Sequence, residues 1–197
     1  MTHATGNATW ADTPATSSLI SAAALEKDEG AIDSLYISEY GSKTRIVRPL
    51  FTGMITSQVV AVTADYWISS GVQVIKDTDS GWVVPGGTTP SYYQIPFSGR
   101  LWDIYWRACF QQSPAIGGAV AAKICLGGIN VNANTIATDS RAATTGESYP
   151  LCWRPGLAGL NAGDKLYFNA YSTGTNNMGP CFGWTYPNIT IRDAGPA

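Results

Sequence analysis

Leu101-Trp102-Asp103-Ile104-Tyr105-Trp106-Arg107-Ala108-Cys109-Phe110 is the stretch that decides the fold. Trp102, Ile104, Trp106, Ala108 and Phe110 fall at every second position, with Asp103, Tyr105 and Arg107 between them. Successive side chains of a strand point to opposite faces, so this period predicts a strand with an aromatic buried face and a polar outer one.

Segments on either side read the same way. Gly127-Gly128 separates Lys123-Ile124-Cys125-Leu126 from Ile129-Asn130-Val131-Asn132. It predicts a two-residue hairpin, because glycine supplies the positive φ that primed turns demand. Leu160-Asn161-Ala162-Gly163-Asp164 precedes Lys165-Leu166-Tyr167-Phe168-Asn169-Ala170-Tyr171. There Gly163 is expected to turn the backbone left-handed, and the Asp164 carboxylate to accept local N–H groups. Further strands are predicted at 54–62, 66–68, 72–75, 81–84, 92–95, 120–126, 149–153 and 189–192, each rich in β-branched or aromatic residues and bounded by turn formers. Residues 85–90 and 173–180 read as loops. The fold class is therefore mostly β, an antiparallel sandwich over 54–197. Residues 41–53, with Gly41, Pro49 and Gly53, form a connector, and 1–40 an N-terminal arm.

Composition agrees. Charged residues are 13% of the 197, against about 25% in an average domain, while Gly (21), Pro (11) and aromatics (11%) are plentiful. So little charge implies that subunit contacts cover part of the outside. The net charge of −2 and the lack of a Lys/Arg cluster argue against a nucleic-acid partner, which needs a concentrated basic footprint. Apolar runs fall far short of the roughly 20 residues of a spanning helix, and residues 1–19 have neither a basic nor an apolar leader region. Membrane insertion and classical secretion are therefore not expected.

The arm carries one helical signal. Ser21 can cap a helix through Ala22, Ala23, Ala24 and Leu25, and Glu26, Asp28 and Glu29 lie near its positive end. Leu25, Ile32 and Leu35 share one face. A stripe so small cannot stabilise a free helix, so the segment is expected to dock, either on a partner or on its own body.

Two family resemblances follow from these residues. Trp10-Ala11-Asp12 followed by Leu19-Ile20-Ser21-Ala22-Ala23-Ala24-Leu25-Glu26 and Ile32 resembles the N-terminal attachment segment of tailed-phage fibre and minor-tail proteins, over about one eighth of the chain. Asp28 stands where that pattern is usually apolar. Ser98-Gly99 before the aromatic strand, the Gly127-Gly128 turn, Leu160 to Asp164 and a closing strand at 189–192 together resemble the trimeric jelly rolls of the tumour-necrosis-factor and complement globular-head type. The resemblances imply a jelly-roll body, a homotrimer, and virion docking through Leu25, Ile32 and Leu35.

Chemistry-bearing patterns are sparse. His3 is the only histidine, which leaves no imidazole for a triad within the body. Asp103, Asp139, Glu147 and Asp164 are the carboxylates that could serve a glycosidase, but acidic residues at turns and strand faces are more often solvated or capping. Asp77-Thr78-Asp79-Ser80-Gly81 begins like a calcium loop, but Thr88 occupies the closing Glu position, so a polar hairpin turn is favoured. Cys109, Cys125, Cys152 and Cys181 form no CxxC pair, so neither a metal site nor any other cofactor is expected. Three disulfide pairings are open, and free thiols are favoured for assembly in a reducing cytosol. Trp184, Tyr186, Asn176 and Asn177 make the 176–188 segment the candidate recognition loop, with a host cell-surface glycan as its ligand.

The expected protein is a non-enzymatic part of a bacteriophage particle, assembled in the host cytoplasm. It is of the tail-fibre or minor-tail type, with other virion proteins of tail, baseplate or capsid as partners. Capsid decoration or head-fibre protein is the alternative, and a soluble glycan-binding module the rival from another class.

Overall fold

The computed structural model describes residues 48–56, 59–62, 64–69, 71–112, 118–143, 146–174, 176–181 and 186–197. All of these fall in one compact unit that begins at Ile46. The expected arm, with Leu25, Ile32 and Leu35, lies outside the described residues.

A five-stranded and a six-stranded antiparallel sheet face each other. Sheet one runs β12 (Leu151–Leu157), β7 (Arg100–Arg107), β15 (Asn188–Pro196), β1 (Arg48–Ile55), β4 (Val72–Asp77). Sheet two runs β10 (Thr135–Ala142), β9 (Ala119–Leu126), β13 (Lys165–Ser172), β6 (Tyr92–Gln94), β5 (Trp82–Val83), with β3 (Asp65–Trp67) also on β13. A small third sheet orders β11 (Gly146–Ser148), β8 (Phe110–Gln112), β14 (Asn176–Met178) and β2 (Val59–Val62). Among β1, β6, β7, β9, β10, β12, β13 and β15, the chain changes sheet at every step except β9 to β10. That eight-stranded order is a jelly roll.

The aromatic strand behaves as its period requires. Trp102, Ile104, Trp106, Ala108 and Phe110 are fully buried, and Asp103, Tyr105 and Arg107 are half-buried on the outer face. The inner face of sheet one adds Phe51, Ile55, Ile189 and Ile191, and sheet two meets it with Tyr93, Val120, Ala122, Ile124, Leu166 and Phe168. The turn before β13 also forms as expected. Gly163 has φ +94, and the Asp164 carboxylate accepts the Asn161 N–H at 2.8 Å. Ser98 Oγ accepts the Ala162 N–H at 2.8 Å, so two of the segments that carry the jelly-roll resemblance touch.

Several expectations need correction. The connector predicted at 41–53 cannot extend past residue 47, because 48–53 opens β1 and buries Leu50 and Phe51. The strand predicted at 54–62 is two strands in different sheets, since Thr56-Ser57-Gln58 interrupts the apolar run. The β9–β10 connection is not a two-residue hairpin. Gly127 does take φ +79, but Asn130 then caps a single helical turn, α1 (Val131–Asn134), by accepting from the Asn132 and Ala133 N–H groups. The returning strand is β10, whose Thr135-Ile136-Ala137-Thr138-Asp139-Ser140-Arg141-Ala142 is too polar to have stood out. Residues 173–180 include β14. The short closing strand is the nine-residue β15, which sits between β7 and β1. The Asp77 to Gly81 turn is polar as expected but joins the two sheets instead of closing a hairpin. Asp77 accepts the Gly81 and Trp82 N–H groups at 2.9 and 3.0 Å, with Ser80 at φ +52.

Candidate functional site

The outer face of sheet one holds the most distinctive exposed surface. Cross-strand register aligns Trp153, Tyr105, Thr190, Thr52 and Lys76 in one row over five strands. The next row pairs Arg107 with Asn188 on one side, and Asp103 pairs with Arg192 on the other. Asp103, Tyr105, Trp153, Asn188, Thr190 and Arg192 line a shallow groove of about 420 Å³. Trp153 is 62% exposed, although a Trp ring is the side chain with most to gain from burial.

The rim is held in place by backbone contacts. Asp103 accepts the Gly156 N–H at 2.8 Å across the β12 bulge, and Arg107 Nη2 donates to the Tyr186 carbonyl at 3.2 Å. Arg107 Nε and Asn188 Oδ1 are buried without a hydrogen-bond partner among the described residues. An aromatic ring flanked by hydroxyl, amide and opposite charges suits a protein surface of mixed polarity.

The predicted recognition residues do not form one exposed loop. Asn176 is only 2% exposed, and its amide donates to Ser172 Oγ, so it braces the corner between β13 and β14 and cannot serve as a surface contact. Asn177 is half-buried in β14 opposite Gln111. Tyr186 is half-buried and contributes its carbonyl to Arg107, two residues from the groove's Asn188. Trp184 lies outside the described residues.

The weighed carboxylates sit on separate elements. Asp103 is engaged as above, and Asp164 serves its turn. Burial would raise the Asp139 carboxyl, but the Leu151 N–H at 2.7 Å and the Arg141 guanidinium at 2.9 Å outweigh it and hold the group below its ordinary range. Glu147 stands on β11. Among the described residues, no group of three or more His, Cys, Asp or Glu side chains could hold a metal ion.

All four cysteines are buried free thiols. A hydrogen bond to Cys181, then burial, pushes the Cys109 thiol far up. Burial raises Cys125, and it lifts Cys152 to about 12.

Sequence reasoning found the outward positions of β7 but missed their neighbours Trp153, Thr190 and Arg192. The signal was present in Leu151-Cys152-Trp153, where a buried Cys152 between outward residues marks Trp153 as surface.

No family model matches the chain, and no curated protein matches it significantly. Among solved structures it is similar to murine APRIL at pH 8.0, with 12% identity, 74% of this chain and 98% of that chain covered, and a TM-score of 0.48. It is also similar to the Eiger TNF of S. frugiperda, with 11% identity, 76% and 96% covered, and a TM-score of 0.44. The jelly-roll assignment stands on the strand order and not on these likenesses.

Proposed function

We propose that this chain is a non-enzymatic structural protein of a bacteriophage particle, a homotrimer docked to the virion through residues 1–40. Its subunits pack through the outer face of sheet one. The observation that supports this packing is the 62% exposed Trp153 beside half-buried Tyr105, on a face where Asp103 and Arg192 offer both charges. Aromatic and Arg side chains are the types enriched where subunits meet, and an exposed Trp gains most from a second copy. The 13% charge content supports the same reading, because the surface carries few groups that would resist burial. The phage assignment and assembly in the host cytoplasm rest on the sequence of residues 10–32, with a tail-fibre or minor-tail role as the first expectation.

Gold-labelled antibody against the body, applied to particles purified from cells producing the chain from its native genome, tests the proposal. Label at the tail is expected, and label spread over capsids would replace the tail role with decoration. Particles free of label, with the chain left in the soluble fraction, would contradict a virion role. A chain lacking residues 1–40 should fold yet fail to join particles.

A further inference from the structure

Cys109 and Cys181 meet although 71 positions separate them in the chain. Cys109 lies between the end of β7 and the start of β8, and Cys181 lies three residues beyond β14. Strands β8 and β14 pair antiparallel, with Met178 opposite Phe110 and Asn177 opposite Gln111. The next N–H along, that of Gly179, donates to the Cys109 carbonyl at 3.0 Å, and the Cys181 thiol points to the Gly179 carbonyl at 3.6 Å. Cys181 is the first of the groups that raise the Cys109 thiol, ahead of burial. Both are enclosed, at 0% and 5% exposure.

With Gly179 bonded opposite Cys109 and the Cys181 thiol folded back onto the Gly179 carbonyl, both cysteines sit at one enclosed corner of the β8–β14 pair, where closing a disulfide calls for rotation of the side chains. The other two thiols have different neighbours. Cys125 Sγ is 3.4 Å from Thr135 Oγ1, and Cys152 lies on β12, opposite Trp106 of β7.

We infer that Cys109 and Cys181 form a native cross-linking site, reduced on folding and closed to a disulfide when the protein meets an oxidising pool of low-molecular-weight disulfide. The balance is that of thiol–disulfide exchange. Cys181, the more accessible thiol, loses its proton and attacks one sulfur of the small disulfide, releasing one small thiolate and leaving a mixed disulfide. The Cys109 thiolate then attacks the Cys181 sulfur, forms the protein disulfide and expels the second small thiolate. The two protein protons end on the two released thiols, so the protein is oxidised by two electrons and the small disulfide is reduced by two.

The bond would fasten β14 to the end of β7, at the start of the 182–185 segment that contains Trp184. Because the Cys109 thiol is held protonated by its partner and by burial, closure should be slow at neutral pH and faster as pH rises.

The full-length chain, purified under reductant and moved into oxidised glutathione at pH 8, provides the test. After an acid quench, denaturation and alkylation, two thiols should be alkylated, Cys125 and Cys152. The intact mass should fall by two hydrogens, and one peptide pair should join Cys109 to Cys181. Dithiothreitol should restore four alkylated thiols, and closure should raise the thermal midpoint by roughly 5 to 10 °C. Cys109→Ser should stop the reaction at a glutathione adduct on Cys181. Four alkylated thiols after prolonged oxidation of the unmodified chain, or a bond involving Cys125 or Cys152, would overturn the inference. That readout does not depend on any variant folding.

Discussion

The indole N–H of Trp106 donates to the Asn169 carbonyl at 2.9 Å, a hydrogen bond that runs from sheet one to sheet two through the buried core. Trp106 also packs against Phe168, with ring centroids 6.2 Å apart. Replacing it removes a large apolar surface, leaves a cavity and strips the carbonyl of this donor. Trp106→Ala should therefore cost roughly 3 to 5 kcal/mol. Trp153→Ala, on the exposed face, should cost less than about 1 kcal/mol in the isolated subunit. Urea unfolding of both variants checks the contrast, and equal losses would contradict it.

Arg100 and Asp193 form the second long-range tie. Arg100 Nε lies 2.9 and 3.0 Å from the two carboxylate oxygens, Arg100 Nη2 donates to one of them, and the Gly195 N–H adds a third donor at 2.9 Å. Asp193 is 3% exposed, at the point where β15 loses register with β7. Arg100→Leu leaves a buried carboxylate short of its cation and should cost roughly 2 to 3 kcal/mol, a modest figure because the guanidinium is partly solvated. Adding Asp193→Asn should recover part of that loss. Strict additivity of the two losses would show that the pair is not coupled.

Alkaline pH should weaken the fold. Burial, followed by the Asp79 and Asp77 charges, raises the Tyr93 hydroxyl, and Cys109 and Cys152 are raised as above. Their folded values exceed the unfolded ones, so the stability they confer is intact below an unfolded thiol value of about 8.5 and declines as pH climbs past it. Asp139 works in the opposite sense, because its lowered value adds stability that is lost as pH falls below about 4. Thermal midpoints measured under reductant should be lower at pH 10 than at pH 7, and unchanged midpoints would contradict the assignment of these groups as buried.

What was legible in the sequence was local. The alternation from Trp102 to Phe110 and the Gly163-Asp164 turn are written in consecutive residues, and both formed as read. The change of sheet after Ile55 was not legible, because the apolar residues resume at Val59 and periodicity carries no information about the partner strand. Strand β10 was invisible because an edge strand exposes polar side chains and owes its shape to its pairing with β9. Asn176 looked like a recognition residue by type, yet its neighbours bury it. The groove escaped notice because its residues come from three strands about 40 to 90 positions apart and only pairing register brings them together.

Light scattering of the full chain at micromolar concentration tests the central claim most directly. Packing through the Trp153 and Tyr105 face predicts a mass of about three times the 20.9 kDa subunit, falling to a single subunit in Trp153→Glu with the fold retained. A monodisperse species of one subunit mass in the unmodified chain would contradict the account.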